Sequence, residues 1–368
     1  MSERRITIST YNILLIVSVG LLLVLLWQLS SLLLVLMIAI VLAATLAPII
    51  DRAERLGVPR WLAVLLVYLG LLFLLIGVGV VIGPTVVDQI QRLFRRLPGY
   101  LEILESLLNN LAARVGINEP LISQFFDTQT LTNWVIRSSQ QLVVRSYGVT
   151  RGFLGGVVSL ILAVFLSGYM LSGSEQLIKG LVSLFPKPWD DRLAAQVHPA
   201  SQRMGNYIQG RVLVSGILGI AISIGLRVLG LSEFALGLGV IAGVTNLIPF
   251  FGPVLGAIPA LIVAIGLGGW TFLWVFLLFV IIQNVETYVL DPVLVGSSVK
   301  VHPLYQLLAV VGGAQVLGII GALIVPPWIA GASVLLENLY LEPKRLAEEY
   351  QEAIASPSEE LTLKDGIN

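Results

Sequence analysis

Glu286 is the side chain of this sequence that is best placed to carry chemistry. Between positions 233 and 300 only Glu286 and Asp291 are formally charged, and Glu286 lies inside the apolar run 270–290. A carboxylate within a bilayer costs a few kcal/mol or more, so it is usually retained for a function such as carrying a proton or binding a cation. A structural alternative is that Glu286 pairs with Arg227 or with the backbone of a broken helix. Asp291, which precedes a proline, is interpreted as a turn residue at the membrane rim.

Three amide side chains could complete an ion or solute site around this carboxylate. Gln283 lies three residues before Glu286 and therefore on the same face of a helix. Asn246 precedes a helix break, where unpaired backbone N–H and C=O groups can act as further ligands. Its structural alternative is to satisfy that broken backbone. Gln315 occupies the corresponding place in a second broken segment. We predict Glu286 as the ion- or proton-coupling group and the three amides as ligands.

Helix-breaking residues are concentrated in the same part of the chain. Hydrocarbon offers no water to a broken backbone, so glycine and proline at membrane depth survive only where they are buried in protein or line a cavity. The breaks therefore indicate a site. The predicted hinge and break positions are Pro249, Gly252, Pro253, Pro259, Pro292, Gly296, Pro303, Gly312 and Gly313.

Two broken segments of nearly equal length must position these residues. Each segment, 234–268 and 304–336, has about 35 residues, and a straight helix of that length would reach about 50 Å against a hydrocarbon core of about 30 Å. We predict two re-entrant hairpins of half-length helices, which form an inverted repeat of 212–268 and 270–336. The alternatives are one kinked span or two full spans for each segment.

The composition is that of an all-α, polytopic membrane protein. Hydrophobic residues make up 57% of the chain, charged residues 12%, and the mean hydropathy is +0.92, whereas soluble domains have about 25% charged residues. The formal net charge is zero, so nucleic acid is not an expected partner. The chain has no cysteine and two histidines, so we expect no thiolate chemistry and no metal site. It also lacks a phosphate-binding loop motif and a paired Ser and His, so we expect neither a cofactor nor enzyme activity.

The order of apolar and polar segments divides the chain into five parts with about eight membrane segments. The positive-inside rule places the basic segments in the cytoplasm. After the third span, apolar residues recur at spacings of four and three from Ile90 to Leu111, interrupted at Pro98-Gly99. This stripe packs either on its own domain or against neighbouring subunits. The predicted parts are 1–84 with the N-terminal spans, 85–150 as an amphipathic helical extramembrane domain, 151–211 with a span and a basic cytoplasmic segment, 212–336 as the transport core with both hairpins, and 337–368 as a polar cytoplasmic tail.

The motifs of this core resemble those of a known family. They are Asn246-Leu-Ile-Pro249-Phe-Phe-Gly252-Pro253, Gln283-Asn-Val-Glu286, Pro292-Val-Leu-Val-Gly296 and Val301-His302-Pro303-Leu304 followed by Gly312-Gly313. In this order they resemble the autoinducer-2 exporter family of bacterial membrane proteins, also called PerM-like permeases. The three N-terminal spans and the amphipathic domain resemble the layout of that family. Thr287-Tyr288 stands where the family often has Gly-Asn, whereas the glutamate itself matches.

The resemblance implies a transporter of the bacterial cytoplasmic membrane, in a family whose members are linked to export of a quorum-sensing signal or to sodium/proton exchange. We predict a secondary transporter that works by alternating access and couples an ion or proton gradient to export of a small solute or to sodium/proton exchange. The expected partners are the lipid bilayer, a small solute, H+ or Na+, and further copies of the chain in a homo-oligomer. The alternative is a non-transporting membrane scaffold whose amphipathic domain recruits partners.

Overall fold

The computed structural model describes residues 28–115, 150–295 and 303–355, together with Ser18, Leu21 and Leu25. Every regular element among these residues is a helix, which confirms the all-α prediction. The α-helices are α1 (Ser30–Arg55), α2 (Arg60–Val115), α3 (Thr150–Ser172), α4 (Ser174–Val182), α5 (Trp189–Val228), α6 (Ala235–Thr245), α7 (Phe251–Leu267), α8 (Thr271–Val285), α9 (Pro303–Leu336) and α10 (Glu342–Ala355). Two π-helices, Glu286–Val295 and Glu337–Leu341, follow α8 and α9.

The apolar helices confirm a polytopic membrane protein, although they do not establish the predicted count of eight segments. By length and composition, five helical stretches of the described residues can cross a membrane, or six if α3 and α4, bent by 86° across Gly173, form one broken span. The apolar helices α6 and α7 are shorter, with 11 and 17 residues. The five stretches are Ser30–Arg55, Arg60–Leu107, Trp189–Val228, Thr271–Val295 and Pro303–Gln351.

The first broken segment forms a pair of short helices. α6 ends at Thr245, α7 begins at Phe251, and Phe250 between them has a positive φ of 65°. A Cβ at Gly256 would lie 2.7 Å from the Cα of Ala242, so the chain reverses and the two helices pack together. At 1.5 Å per residue, α6 and α7 measure about 16 Å and about 25 Å, which is less than the hydrocarbon thickness. The pair has the shape of the predicted hairpin, and its re-entrant position in a bilayer stays a prediction.

The second broken segment lies inside α9. Gly318 has a φ of 67° and a ψ of −153°, a conformation that glycine adopts readily because it has no Cβ. Gly313 and Gly321 would be about 12 Å apart along a straight helix, yet a Cβ on Gly321 would collide with the carbonyl oxygen of Gly313. The chain therefore turns back at Gly318, and the two halves of α9 form a second hairpin.

The predicted hinge positions differ in their place relative to these reversals. Pro249 lies in the connection between α6 and α7, Gly252 and Pro253 lie in the first turn of α7, and Pro303 begins α9. Helices continue through the other described positions, which therefore do not end a helix: Pro259, Pro292, Gly312 and Gly313. Gly296 lies outside the described residues. The sequence also marks Gly318 and Gly321 as breaks of the second segment, and the reversal occurs at Gly318, which has the positive φ that the turn requires.

α2 is a single helix of 56 residues that continues from the predicted third span into the predicted amphipathic domain. It passes through Pro84 and Pro98, so the predicted interruption at Pro98-Gly99 does not divide it into two helices. An interior proline costs a helix about 3 kcal/mol, and tertiary packing offsets that cost here. Leu93 and Tyr100 are buried, and the ring of Tyr100 lies directly against Gly266 of α7.

This part of α2 therefore packs on the first hairpin of its own chain. A hydrogen bond from the backbone N–H of Gly237 to Gln89 Oε1, 2.7 Å long, and an ion pair from Arg96 to Glu233, 2.8 Å long, add to the contact. Association of the same stripe with other subunits stays a prediction. The rest of the predicted amphipathic domain, residues 116–149, lies outside the described residues.

α5 is the helix that positions the site. It has 40 residues and begins at Trp189, so the part of the predicted polar segment from 189 to 211 and the span expected from 212 are one continuous helix. α5 packs against α1, α6, α9 and the 286–295 π-helix. One face of α5 is buried over several turns and carries Tyr207, Arg211, Val214, Leu218, Ile222 and Leu226.

Candidate functional site

A buried cluster of charged and amide side chains lies where α5, α6, α8 and the 286–295 π-helix meet. Arg211 comes from α5, Asn246 from the end of α6, Gln283 from the last turn of α8, and Glu286 from the first position of the π-helix. Arg211 is 5% exposed, and Asn246 and Glu286 are each 2% exposed. The structure thus brings together three of the four residues that the sequence assigned to the site.

Arg211 and Glu286 form an ion pair in this cluster. Arg211 Nη1 donates to Glu286 Oε1 at 2.9 Å. Arg227, the partner suggested by the sequence, lies about 24 Å further along α5. Its side chain is exposed, and it is not the partner of Glu286. Arg211 is the last residue of the basic segment that the sequence assigned to the cytoplasm, and its side chain is buried in the structure. A charge removed from water is tolerated only when it is paired and hydrogen-bonded, so Arg211 and Glu286 require each other.

Two amides fix the orientation of the Glu286 carboxylate. Asn246 Nδ2 donates to Oε1 at 3.0 Å, and Gln283 Nε2 donates to Oε2 at 3.2 Å. Arg211 Nη2 lies 3.5 Å from Asn246 Oδ1, at the long end of the hydrogen-bond range. Each carboxylate oxygen therefore accepts at least one hydrogen bond, and the group links four helical elements.

A cavity of about 20 Å³ adjoins this carboxylate. This space is about what one water molecule requires. Oxygen atoms of carboxylates and amides are the ligands that hard cations prefer. Within the described residues, no group of three His, Cys, Asp or Glu side chains could hold a resident metal ion. The cavity is lined by Asn246, Gln283, Glu286 and Pro253 and by Leu218, Ile222, Ala242, Phe279 and Ile282.

Asp291 belongs to the same cluster, which corrects its interpretation as a turn residue. Its Oδ1 lies 3.5 Å from Arg211 Nη1 and is buried without a hydrogen bond, while the side chain as a whole is 39% exposed. No turn forms because Asp291 and Pro292 both lie within the π-helix. Gly210 lets that helix approach α5, since a Cβ there would collide with the carbonyl oxygen of Leu294.

Polar contacts continue along the same face of α5 toward its N-terminal end. Tyr207, one turn before Arg211, accepts a hydrogen bond of 3.2 Å from Gln306 Nε2. Arg203, one turn earlier, pairs with Glu337 at 3.1 Å, with both side chains partly exposed. A polar group thus occurs at each turn of α5 from its partly exposed charged end to the buried cluster.

Gln315, the fourth residue that the sequence assigned to the site, is exposed on α9 and is not part of this cluster. Its assignment assumed that the two hairpins are equivalent, and only the first contributes a side chain to the cluster. Arg211 is the main residue that the sequence did not identify. Its position directly before the apolar run 212–226 was the available signal.

Comparison with known proteins also indicates a membrane transporter. The model of the AI-2E family of transporters matches residues 14–341. YrrI, a provisionally named transport protein of Bacillus subtilis, is 32% identical over 309 residues, which cover 82% of this chain and 84% of YrrI. YueF, a second such protein of Bacillus subtilis, is 28% identical over 335 residues, 90% of each chain.

PerM, a provisionally named permease of Escherichia coli strain K12, is 30% identical over 294 residues, 77% of this chain and 80% of PerM. The family match includes every residue of the buried cluster and both hairpins. It confirms the resemblance found in the motifs of the sequence. The chain is therefore a multi-pass membrane transporter that belongs to the AI-2E transporter family.

Proposed function

We propose that this transporter works by alternating access and couples the movement of H+ or Na+ to export of a small solute or to sodium/proton exchange. Glu286 is the coupling carboxylate, and Asn246 and Gln283 are its supporting ligands. The observation that carries this proposal is the buried, fully hydrogen-bonded carboxylate beside a space the size of one water molecule. Intramembrane carboxylates of this kind mark ion pathways and proton relays.

The contacts of Glu286 supply a route from ion binding to conformational change. Its carboxylate is bonded to Arg211 on α5, to Asn246 at the reversal of the first hairpin, and to Gln283 on α8. A cation or proton that binds Glu286 changes all three contacts at once. A ligand shifts a conformational equilibrium only through such a difference in contacts between two states. The two hairpins, with reversals at Phe250 and Gly318, are the moving parts in this proposal.

A groove along α2, α5 and α6 is the proposed solute path. Its volume of about 630 Å³ lies within the usual range for small-molecule sites. Its walls are largely apolar, and Ser215 Oγ is buried there without a hydrogen-bond partner. A solute with an apolar body and a polar group that bonds to Ser215 fits this lining. The protein moves such a solute without converting it chemically, and no cofactor is needed.

The proposed location is the cytoplasmic membrane of a bacterium, with the N-terminal part of α5 in the cytoplasm. Lys179, Lys187, Arg192 and Arg203 lie between the end of α3 and the buried part of α5, and such segments stay in the cytoplasm. The lipid bilayer is then the main partner. We also propose a homo-oligomer, joined through the part of the apolar stripe on α2 that its own chain does not cover.

A membrane scaffold is the second candidate function. Ile103 and Leu107 on the extension of α2 are 39% and 45% exposed, so this helix offers an apolar surface to another protein. A scaffold has no need of the buried ion pair, so its function is insensitive to neutralisation of Glu286.

Cation-driven proton flux separates these candidates. The purified protein is reconstituted into proteoliposomes with a trapped pH-sensitive dye, and sodium, lithium or potassium is added outside. We expect proton movement with at least one cation and a loss of about tenfold or more in Glu286→Gln. Glu337→Gln, which neutralises the partly exposed pair with Arg203, is the matched control and is expected to keep most of the flux.

The other outcomes are also informative. Equal flux in the parent and in Glu286→Gln would contradict the role of this carboxylate. No flux in any protein, together with no efflux of labelled solute, would favour the scaffold.

A further inference from the structure

One guanidinium nitrogen of Arg211 lies between two carboxylates. Arg211 Nη1 is 2.9 Å from Glu286 Oε1 and 3.5 Å from Asp291 Oδ1. The shorter contact is a hydrogen bond, whereas Asp291 Oδ1 is buried and accepts none. A movement of the guanidinium by less than 1 Å is enough to exchange the two contacts. Arg211 Nε also has no hydrogen-bond partner.

The π-helix is what places both carboxylates beside one cation. Glu286 and Asp291 are five residues apart, and in an α-helix that spacing rotates two side chains by about 140° around the axis. The wider turn of a π-helix, with i→i+5 hydrogen bonds, brings such residues closer to one face. Both residues lie within the 286–295 π-helix, and that helix packs on α5.

The two carboxylates differ in their access to solvent. The Glu286 side chain is 3% exposed, whereas that of Asp291 is 39% exposed. An ionised Glu286 therefore needs Arg211 or another cation at all times. Asp291 is less completely buried than Glu286, so leaving its charge without a partner costs less than it does for Glu286. The other polar groups that face these charges are Tyr207 from α5, Asn246 and Gln283.

We propose that Arg211 passes from Glu286 to Asp291 when a cation or proton neutralises Glu286, and that it returns when the ion leaves. This exchange rests on the proposed coupling role of Glu286 and deepens it by assigning Asp291 as a positioning residue. In the ion-bound state Glu286 pairs with the ion and Asp291 with Arg211, so no buried charge is left unpaired. Without Asp291, Arg211 stays on Glu286 and competes with the ion.

A double-mutant cycle on thermal stability tests this exchange without relying on transport. Glu286→Gln imitates the neutralised carboxylate, and the melting temperature is measured for the parent, Glu286→Gln, Asp291→Asn and the double variant. In the parent, Arg211 is paired with Glu286, so we expect Asp291→Asn alone to change the melting temperature by less than about 2 °C. In the Glu286→Gln background it removes the remaining carboxylate beside Arg211, so we expect a further loss of about 5 °C or more.

Two controls accompany the cycle. Glu337→Gln combined with Asp291→Asn is expected to give additive shifts, since Glu337 pairs with Arg203 and Asp291 lies beside Arg211, two turns further along α5. Adding Arg211→Gln to the double variant removes the unpaired guanidinium and is expected to restore most of the lost stability. This triple variant keeps the test decisive if the double variant does not fold. Failure of the triple variant to recover would overturn the proposal.

The cycle and the flux assay have separate outcomes. Additive shifts in the cycle, with flux that depends on Glu286, would overturn the exchange and leave the coupling role intact. Non-additive shifts without any cation-dependent flux would support the exchange of Arg211 and contradict the coupling role. If both hold, Asp291→Asn is expected to raise the cation concentration for half-maximal flux by about tenfold, and Asp291→Glu is expected to restore it.

Discussion

At the scale of single residues, the ion pair between Arg211 and Glu286 is the most demanding feature of this protein. The two residues are 75 positions apart in the chain and both are almost fully buried. A buried pair contributes little net stability compared with an apolar replacement of both partners, but loss of one partner leaves an uncompensated charge. The pair is thus more consistent with a functional role than with a means of stabilising the fold.

We therefore expect replacement of Arg211 alone to destabilise the fold strongly. We expect Arg211→Leu to lower the free energy of unfolding by about 3–5 kcal/mol, because it leaves Glu286 buried without its partner. Arg227→Leu, on the same helix but exposed, is the matched control and should change the free energy by less than about 0.5 kcal/mol. Unfolding of the purified proteins in one detergent checks both values. Equal losses in the two variants would contradict the importance of the pair.

At the scale of helical elements, the close contact between α5 and the 286–295 π-helix determines the shape of the site. The carbonyl oxygen of Leu294 occupies the space that a side chain at Gly210 would need. This contact brings Glu286 and Asp291 within reach of Arg211. By contrast, a Cβ added at Gly216 on the same helix would have open space, with no atom of a neighbouring element within 4 Å.

Two alanine substitutions on α5 test this contact. Gly210→Ala should displace the π-helix and lower the free energy of unfolding by about 1–3 kcal/mol, as overpacked positions do. Gly216→Ala should leave stability unchanged or raise it by up to about 1 kcal/mol, since alanine favours a helix. Thermal melting checks stability, and proteoliposome flux should fall in Gly210→Ala. A neutral Gly210→Ala would show that the contact is not needed.

At the scale of the whole molecule, we propose that the two hairpins divide the core into two similar units. The first unit contains α5, α6 and α7, and the second contains α8, the π-helix and α9. In the proposed topology the first hairpin enters from outside the cell and the second from the cytoplasm. Inverted units with broken helices are a common architecture of secondary transporters.

Cysteine labelling tests this topology directly, because the natural chain contains no cysteine. We expect a membrane-impermeant maleimide to label Ser232→Cys and Thr271→Cys from outside and Ser183→Cys only from the cytoplasm. Phe251→Cys, near the reversal of the first hairpin, should react slowly from either side if the hairpin is re-entrant. Rapid labelling of Phe251→Cys from the cytoplasm would instead indicate two complete spans. Labelling of Ser183→Cys from outside would invert the whole assignment.

The sequence by itself determined the class of the protein, the two reversals and three residues of the cluster. Composition is sufficient for the class because a bilayer requires long apolar segments. Gln283 and Glu286 follow from a spacing of three residues, and Asn246 from its place before a break, so all three depend on local patterns. The first hairpin reverses between Pro249 and Pro253 and the second at Gly318, and the sequence marks both places as breaks.

Only the tertiary structure decided the electrostatics of the site. The sequence supplied no reason to prefer Arg211 over Arg227, because the choice of partner depends on which helix packs against the π-helix. Asp291 was missed for a related reason, since spacing arguments assume 3.6 residues per turn and the chain adopts a wider π-helix there. Continuity of α2 through Pro98 likewise depends on burial against α7. Burial and pairing are properties of distant segments brought together, so local periodicity in the sequence does not contain them.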